Sequence, residues 1–196
     1  GTSAFVDFGT STSYSMRAPA TPTADGEWEA LLVGMKPSMD YHFQPVILDG
    51  DGEFAARDQR LTTGPAPSSL PDLSVTALDQ DRATGGFFVM SLLSTPSAAV
   101  IVDDEGEYVW WHQAATEDFP VPRVLLSHDH QRMLYLGRQS QDDEETEHYI
   151  FQVSLDGSSV ETLAVPDAHH DFLELPDGTF AVLTHDRRDV LGEEAL

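Results

Sequence analysis

Cysteine is absent from this chain of 196 residues, which excludes disulfides, thiolate nucleophiles and cysteine-built metal sites. Positive charge is scarce. Ten Lys and Arg stand against 34 Asp and Glu, the net charge is −24, and Lys36 is the single lysine. A surface of that sign repels nucleic acid and anionic membrane, so neither is expected as a partner. The same surface suits solubility or a salty habitat. No run of about 18 apolar residues occurs, so no membrane insertion through a helix is expected. The first residues, GTSAFVDFG, lack a charged segment followed by an apolar one, and any export signal is expected upstream of them. Helical periodicity is nearly missing as well. So are a phosphate-cradling glycine loop and a Gly-x-Ser-x-Gly elbow.

Short alternating apolar runs are plentiful, separated by Asp-Gly, Gly-Gly and Pro-rich turns, and with 40% hydrophobic residues a packed core is expected. The pattern is all-β. The stretch TTGPAPSSLPD (Thr62 to Asp72) reads as a linker. The expected organisation is a first module over 1–64, a Pro-rich linker over 65–72 and a repetitive region over 73–196. Within that region LSVTALDQDRATGGFFVMSLL, RVLLSHDHQRMLYLGR and HHDFLELPDGTFAVLTHD share one plan of strand, polar turn and strand. Four strands recurring about every 50 residues is the pattern of propeller blades. Blades are expected over about 73–112, 122–165 and, incompletely, 169–196, with a generic β-meander as the alternative. Leu73–Leu78, Phe87–Leu93, Val100–Asp103 and Tyr108–Trp111 are the four antiparallel strands expected of the first.

The stretch AHHDFLELPDGTFAVLTHDRR (Ala168 to Arg188) gathers three histidines and two arginines around one turn. A two-residue Asp177-Gly178 loop makes facing positions sum to 355, which sets His170 opposite His185. By their place in the repeat, Arg123 and Arg138 fall on the same rim. Such a ring suits an anion: guanidinium presents a planar fork, and imidazole donates, accepts or attacks. A polar strand end meeting solvent is the competing reading for any single arginine. His169, His170, Asp171, His185 and Asp186 also include ligand types for zinc or manganese. Neighbours along a strand face opposite ways, so no metal is expected. SHDH (Ser127 to His130) reads as a solvated turn on the opposite rim. Trp110 and Trp111 read as blade packing, and DDEETE (Asp142 to Glu147) as a solvated insertion on the site rim.

Two resemblances follow from quoted stretches. LLVGMKPSMDYHFQPVILDGDGEFAARDQRLTTG resembles the second half of a fibronectin type III domain. Tyr41 matches its corner tyrosine, with Phe43, Pro45 and Ile47 on the same face. SAFVDFGTS looks like that family's third strand, which implies two earlier strands before Gly1. AVIVDDEGEYVWWHQ, VSLDGSSVETL and above all HHDFLELPDGTFAVL resemble the bacterial arylsulfotransferase family. That resemblance implies an exported six-bladed propeller enzyme, without a cofactor, moving a sulfuryl group from an aryl sulfate to a phenolic acceptor. A funnel histidine is sulfated in that family, while other histidines and an arginine hold the sulfate. Carried onto this chain, it implies His170 and its neighbour His169 as catalytic residues. His185, Arg187 and Arg188 are the substrate-binding candidates, and the sulfated histidine is expected beyond Leu196. The chain is then a fragment holding half a site. The rival reading is a non-catalytic adhesion or recognition protein, since such modules also serve as binding surfaces.

Overall fold

All secondary structure in the computed structural model is β, and it describes residues 1–79, 81–114, 121–140 and 146–185. The all-β expectation holds. The chain divides into two compact units, Gly1–Phe88 with Val100–Trp111, and Val89–Ala99 with the chain from His112 onward.

In the first unit, β1 (Ser3–Gly9), β2 (Met16–Pro22), β3 (Trp28–Glu29), β4 (Asp40–Asp49), β5 (Gly52–Ala55) and β6 (Gln59–Thr62) form one sheet. Its order is β3-β2-β1-β4-β5, with β6 also pairing β4. Period two places Phe8 opposite both Met16 and Phe43, so all three share a face. Phe8, Ala18 and Tyr41 are the buried centre of that face, covered by Ala30, Leu32 and Met35. Tyr41 is only 2% exposed. Its hydroxyl accepts a hydrogen bond from the Lys36 N–H at 2.8 Å. The corner is tied further by Thr63, whose hydroxyl donates to the Lys36 carbonyl at 2.6 Å.

A three-stranded sheet, β7 (Phe87–Leu92), β8 (Ala98–Asp103) and β9 (Tyr108–Gln113), has the order β7-β8-β9 and is divided between the units. The expected fourth strand, Leu73–Leu78, does not form. Contacts at Pro71, just before that segment, and at Val75 within it take the place of a ladder. The Tyr108 hydroxyl donates to the Pro71 carbonyl at 2.7 Å. The Val75 side chain lies 3.3 Å from the position a Cβ on Gly106 would take. Val75 and Leu78 each remain 46% exposed, so the alternating pattern there buries little.

In the second unit, β10 (Val124–Leu126), β11 (Arg132–Ser140), β12 (Thr146–Ser154) and β13 (Val160–Ala164) form an antiparallel sheet of sequential strands, within the second expected blade. A two-stranded hairpin of β14 (Ala168–Glu174) and β15 (Phe180–Thr184) follows, within the third expected repeat. Leu134, Leu136 and Ile150 from one face of the four-stranded sheet pack with Ala168 and Phe172 of β14 in a single core. On the other face, Tyr135 stacks on Phe151 with ring centroids 4.8 Å apart. Gly137 is the space-giving position there, because a Cβ on it would meet Phe151 at 2.9 Å.

The turns repay attention to sequence. In Ser127–Arg132 and Ser154–Ser159 the first serine's hydroxyl donates to an aspartate two residues on, at 2.6 Å in each case. It also accepts the N–H five residues on, at 3.0 Å in each case. Local side-chain bonds of this kind fix a turn without help from the core.

Candidate functional site

The β14–β15 hairpin decides the site's geometry. Leu175 N–H donates to the Thr179 carbonyl at 2.8 Å, and Gly178 N–H to the Leu175 carbonyl at 2.9 Å. Gly178 sits at φ +81°. These features define a three-residue loop, Pro176-Asp177-Gly178, a type I turn closed by a left-handed glycine. Thr179 caps it by donating through N and Oγ1 to Asp177, which holds that carboxyl below its ordinary range. The expected two-residue loop is therefore corrected. Facing positions are Phe172 with Val182, Leu173 with Ala181 and Glu174 with Phe180, a sum of 354 rather than 355. A slip of one residue exchanges the faces of a strand, so His170 is not opposite His185; past the next irregularity of the ladder, the His185 N–H donates to the Asp167 carbonyl at 2.9 Å.

A bulge then brings the next imidazole in. The ladder resumes at Ala168 with Thr184, so His169, His170 and Asp171 together face Leu183 alone. His170 lies at φ +65° and Asp167 at φ +58°. In a regular strand His169 and His170 would point to opposite faces. The left-handed residue places their rings together instead, with centroids 3.7 Å apart. On its other side His169 meets His185 edge to face at 3.9 Å. His169 is thus the central ring. His170 and His185, expected as direct partners, flank it and are exposed.

A fourth imidazole comes from the neighbouring sheet, where Arg138 on β11 faces His148 on β12. Arg138 Nε donates to His148 Nε2 at 3.0 Å. Burial, and then the Arg138 charge, push the His148 imidazole below its ordinary range. His185 and His169 push the same way, and Asp167 opposes them. His169 is lowered too, by desolvation first and then by His170 and His185. Three of the chain's eight histidines, His148, His170 and His185, therefore lie within reach of a fourth, His169, at one end of the unit. The sequence pattern missed His148, although its place opposite Arg138 across a hairpin was the available signal. Arg123, expected on this rim, forms an exposed pair with Asp171 at 3.1 Å. Such a pair contributes little stability.

Arg187, Arg188, Asp186 and Asp142–Glu145 lie outside the described residues. Among the described residues, no three His, Asp or Glu side chains are arranged to hold a metal ion. The SHDH turn stands at the other end of β14, where the His128 N–H and Nε2–H donate to Glu174 at 2.7 and 3.0 Å. Trp111 is half-buried and lines a cavity of about 210 Å³ with Leu32, Met35, Pro37 and Val109 in the first unit. Comparison with protein-family models, with curated proteins and with solved structures finds no match to this chain.

Proposed function

We propose that His148, His169, His170, His185 and Arg138 are the anion-holding part of an exported arylsulfotransferase-like enzyme. The substrate is an aryl sulfate and the acceptor a phenol. One observation carries the reading: a chain of net charge −24 assembles four imidazoles and a guanidinium at one place. In sulfuryl transfer the aryl C–O–S bridge breaks between oxygen and sulfur. The aryl oxygen leaves with a proton, sulfur bonds to a histidine nitrogen, and the phenolic acceptor later displaces that nitrogen as it loses its own proton. The residues of this chain serve the first half of that sequence. Guanidinium and imidazolium donors balance charge on the sulfuryl oxygens, and a protonated imidazole supplies the proton to the leaving oxygen.

Titration of the whole chain with p-nitrophenyl sulfate and with inorganic sulfate, followed through the histidine ring resonances, tests the reading. Saturable binding that shifts His169, His170 and His185 together is expected. His169→Ala should weaken it about tenfold or more, since a charge-assisted hydrogen bond contributes about 1.5–3 kcal/mol. Absence of saturable binding would leave the cluster without an anionic ligand and favour a non-catalytic recognition protein.

A further inference from the structure

We propose that the outer face of the β14–β15 hairpin is a self-association surface on which a second copy of this chain docks. The residues concerned are Leu173, Leu175, Ala181 and Leu183. Their common face follows from register. Phe172 with Val182 and Glu174 with Phe180 share one side of the hairpin, so Leu173 with Ala181, and Leu183 two residues on, share the other. The Phe172 side is buried against Leu134, Leu136 and Ile150. The leucine side is open: Leu173 is 51% and Leu183 55% exposed, and Leu175 and Ala181 are exposed with them.

The same unit contains one closed example of such a face. Leu173 pairs with Ala181 as Leu125 pairs with Leu134 in the preceding sheet, and Leu183 stands two beyond Ala181 as Leu136 stands two beyond Leu134. There the corresponding side chains are covered by a β-hairpin: Leu134 and Leu136 are fully buried in one cluster with Ala168 and Phe172, and Leu125 packs against it. A β-surface of the same plan therefore fits the open leucines and continues an interface the chain has built once. In a second copy the Phe172 side is committed to its own core, so that copy offers the leucine side itself. The contact is then two-fold, with Leu173 and Leu183 of one copy meeting the same face of the other. None of the four side chains is charged, whereas each copy carries −24. Apolar contact works against long-range repulsion here, and a patch of four side chains belongs to the weak, transient class of interfaces.

Sedimentation of the whole chain between about 10 µM and about 2 mM, the range of weak complexes, reads the association. Raising NaCl from about 0.1 M to about 1 M shortens the screening length from about 10 Å to about 3 Å, so association should tighten severalfold, opposite to an interface of ion pairs. Leu173→Glu combined with Leu183→Glu should weaken it about tenfold or more, since it sets like charges and lost apolar contact on both copies. As a readout independent of that variant's folding, native methyl resonances of Leu173, Leu175, Ala181 and Leu183 should shift with concentration. Those of Ile47 and Val160, exposed apolar residues elsewhere, should not. Association that moves the latter residues and spares the hairpin overturns the proposal. So does a chain that stays single at about 2 mM in about 1 M NaCl, an outcome that gives the face to an apolar hairpin of another polypeptide.

Discussion

Removing one oxygen from Tyr41 separates the two things that residue does. Its ring is 2% exposed within the Phe8, Ala18, Met35 and Phe43 cluster. Its hydroxyl accepts the Lys36 N–H at 2.8 Å, at the corner where the chain enters β4. Tyr41→Phe keeps the ring and leaves that N–H without its acceptor in a part-buried position. The expected loss is about 1 kcal/mol, rising to about 2 if water cannot reach the amide. Tyr41→Ala also empties the space of the ring and should cost about 3–5 kcal/mol. Urea unfolding of the whole chain, followed by exchange of β1 and β4 amides, measures both within the first unit. Thr63→Val, which removes the neighbouring bond to the Lys36 carbonyl, should combine non-additively with Tyr41→Phe because both act on one residue. A Tyr41→Phe change below about 0.3 kcal/mol, or a Tyr41→Ala change no larger than it, would refute the corner account.

Other substitutions probe the turns and the site. Gly178→Ala meets nothing within 4 Å yet must keep φ near +81°, so a thermal-unfolding loss of about 1–2 kcal/mol should appear from conformation alone. Gly137→Ala drives a methyl toward Phe151 at 2.9 Å and should destabilise by about 1–3 kcal/mol, with loss of the Tyr135 ring-current shifts. The Asp156 carboxyl, held at about 2 chiefly by the Ser154 hydroxyl, should titrate higher in Ser154→Ala, as read by its carboxyl carbon resonance, without reaching the ordinary 3.8, because the Ser158 N–H still donates to it. Because that value is depressed in the fold, its stabilising effect is present above the ordinary value and disappears as pH falls from about 4 to about 2. His170→Gly should raise stability by about 1 kcal/mol by relieving a left-handed non-glycine residue while weakening p-nitrophenyl sulfate binding; a variant that gains no stability would show that the bulge is unstrained.

Strand content was legible because period two and turn residues act locally. RVLLSHDHQRMLYLGR and YIFQVSLDGSSVETL alternate cleanly, and their turns are closed by their own Ser and Asp side chains. Tyr41 was legible for a similar reason: a large ring two positions from Phe43 on one strand has one inward face. Register was harder. Asp177-Gly178 marks a turn in either loop length, and the difference is whether Pro176 stands inside the loop or ends the strand. Proline lacks the N–H that a paired strand position supplies, which was the overlooked reason to place it inside. The segment Leu73–Leu78 alternates as well as any strand here, but pairing needs an available edge, and that is tertiary information. The bulge was illegible because nothing local requires it: His169-His170-Asp171 reads as strand, and only the resumed pairing of Ala168 with Thr184 reveals the extra residues.

That bulge bears on whether the histidine cluster is more than a polar strand end. In closing hairpins this chain uses both glycine (Gly106, Gly157 and Gly178, with φ of +85°, +72° and +81°) and histidine (His130, at φ +58° in the turn that matches Gly157's). At φ +65° in the bulge it keeps a histidine. Glycine there would avoid a steric cost of roughly 1–2 kcal/mol. A second cost falls at the same place, since His169 is held below its ordinary range by its imidazole neighbours as well as by desolvation. Two independent penalties converge on one set of rings, and what they secure is a concentration of protonatable nitrogen in an otherwise acidic chain. Strain inferred from an observed backbone outlier supports a functional hypothesis. Here the outlier is the residue that turns His170 back toward His169, and without it the cluster would be split between two faces of the strand.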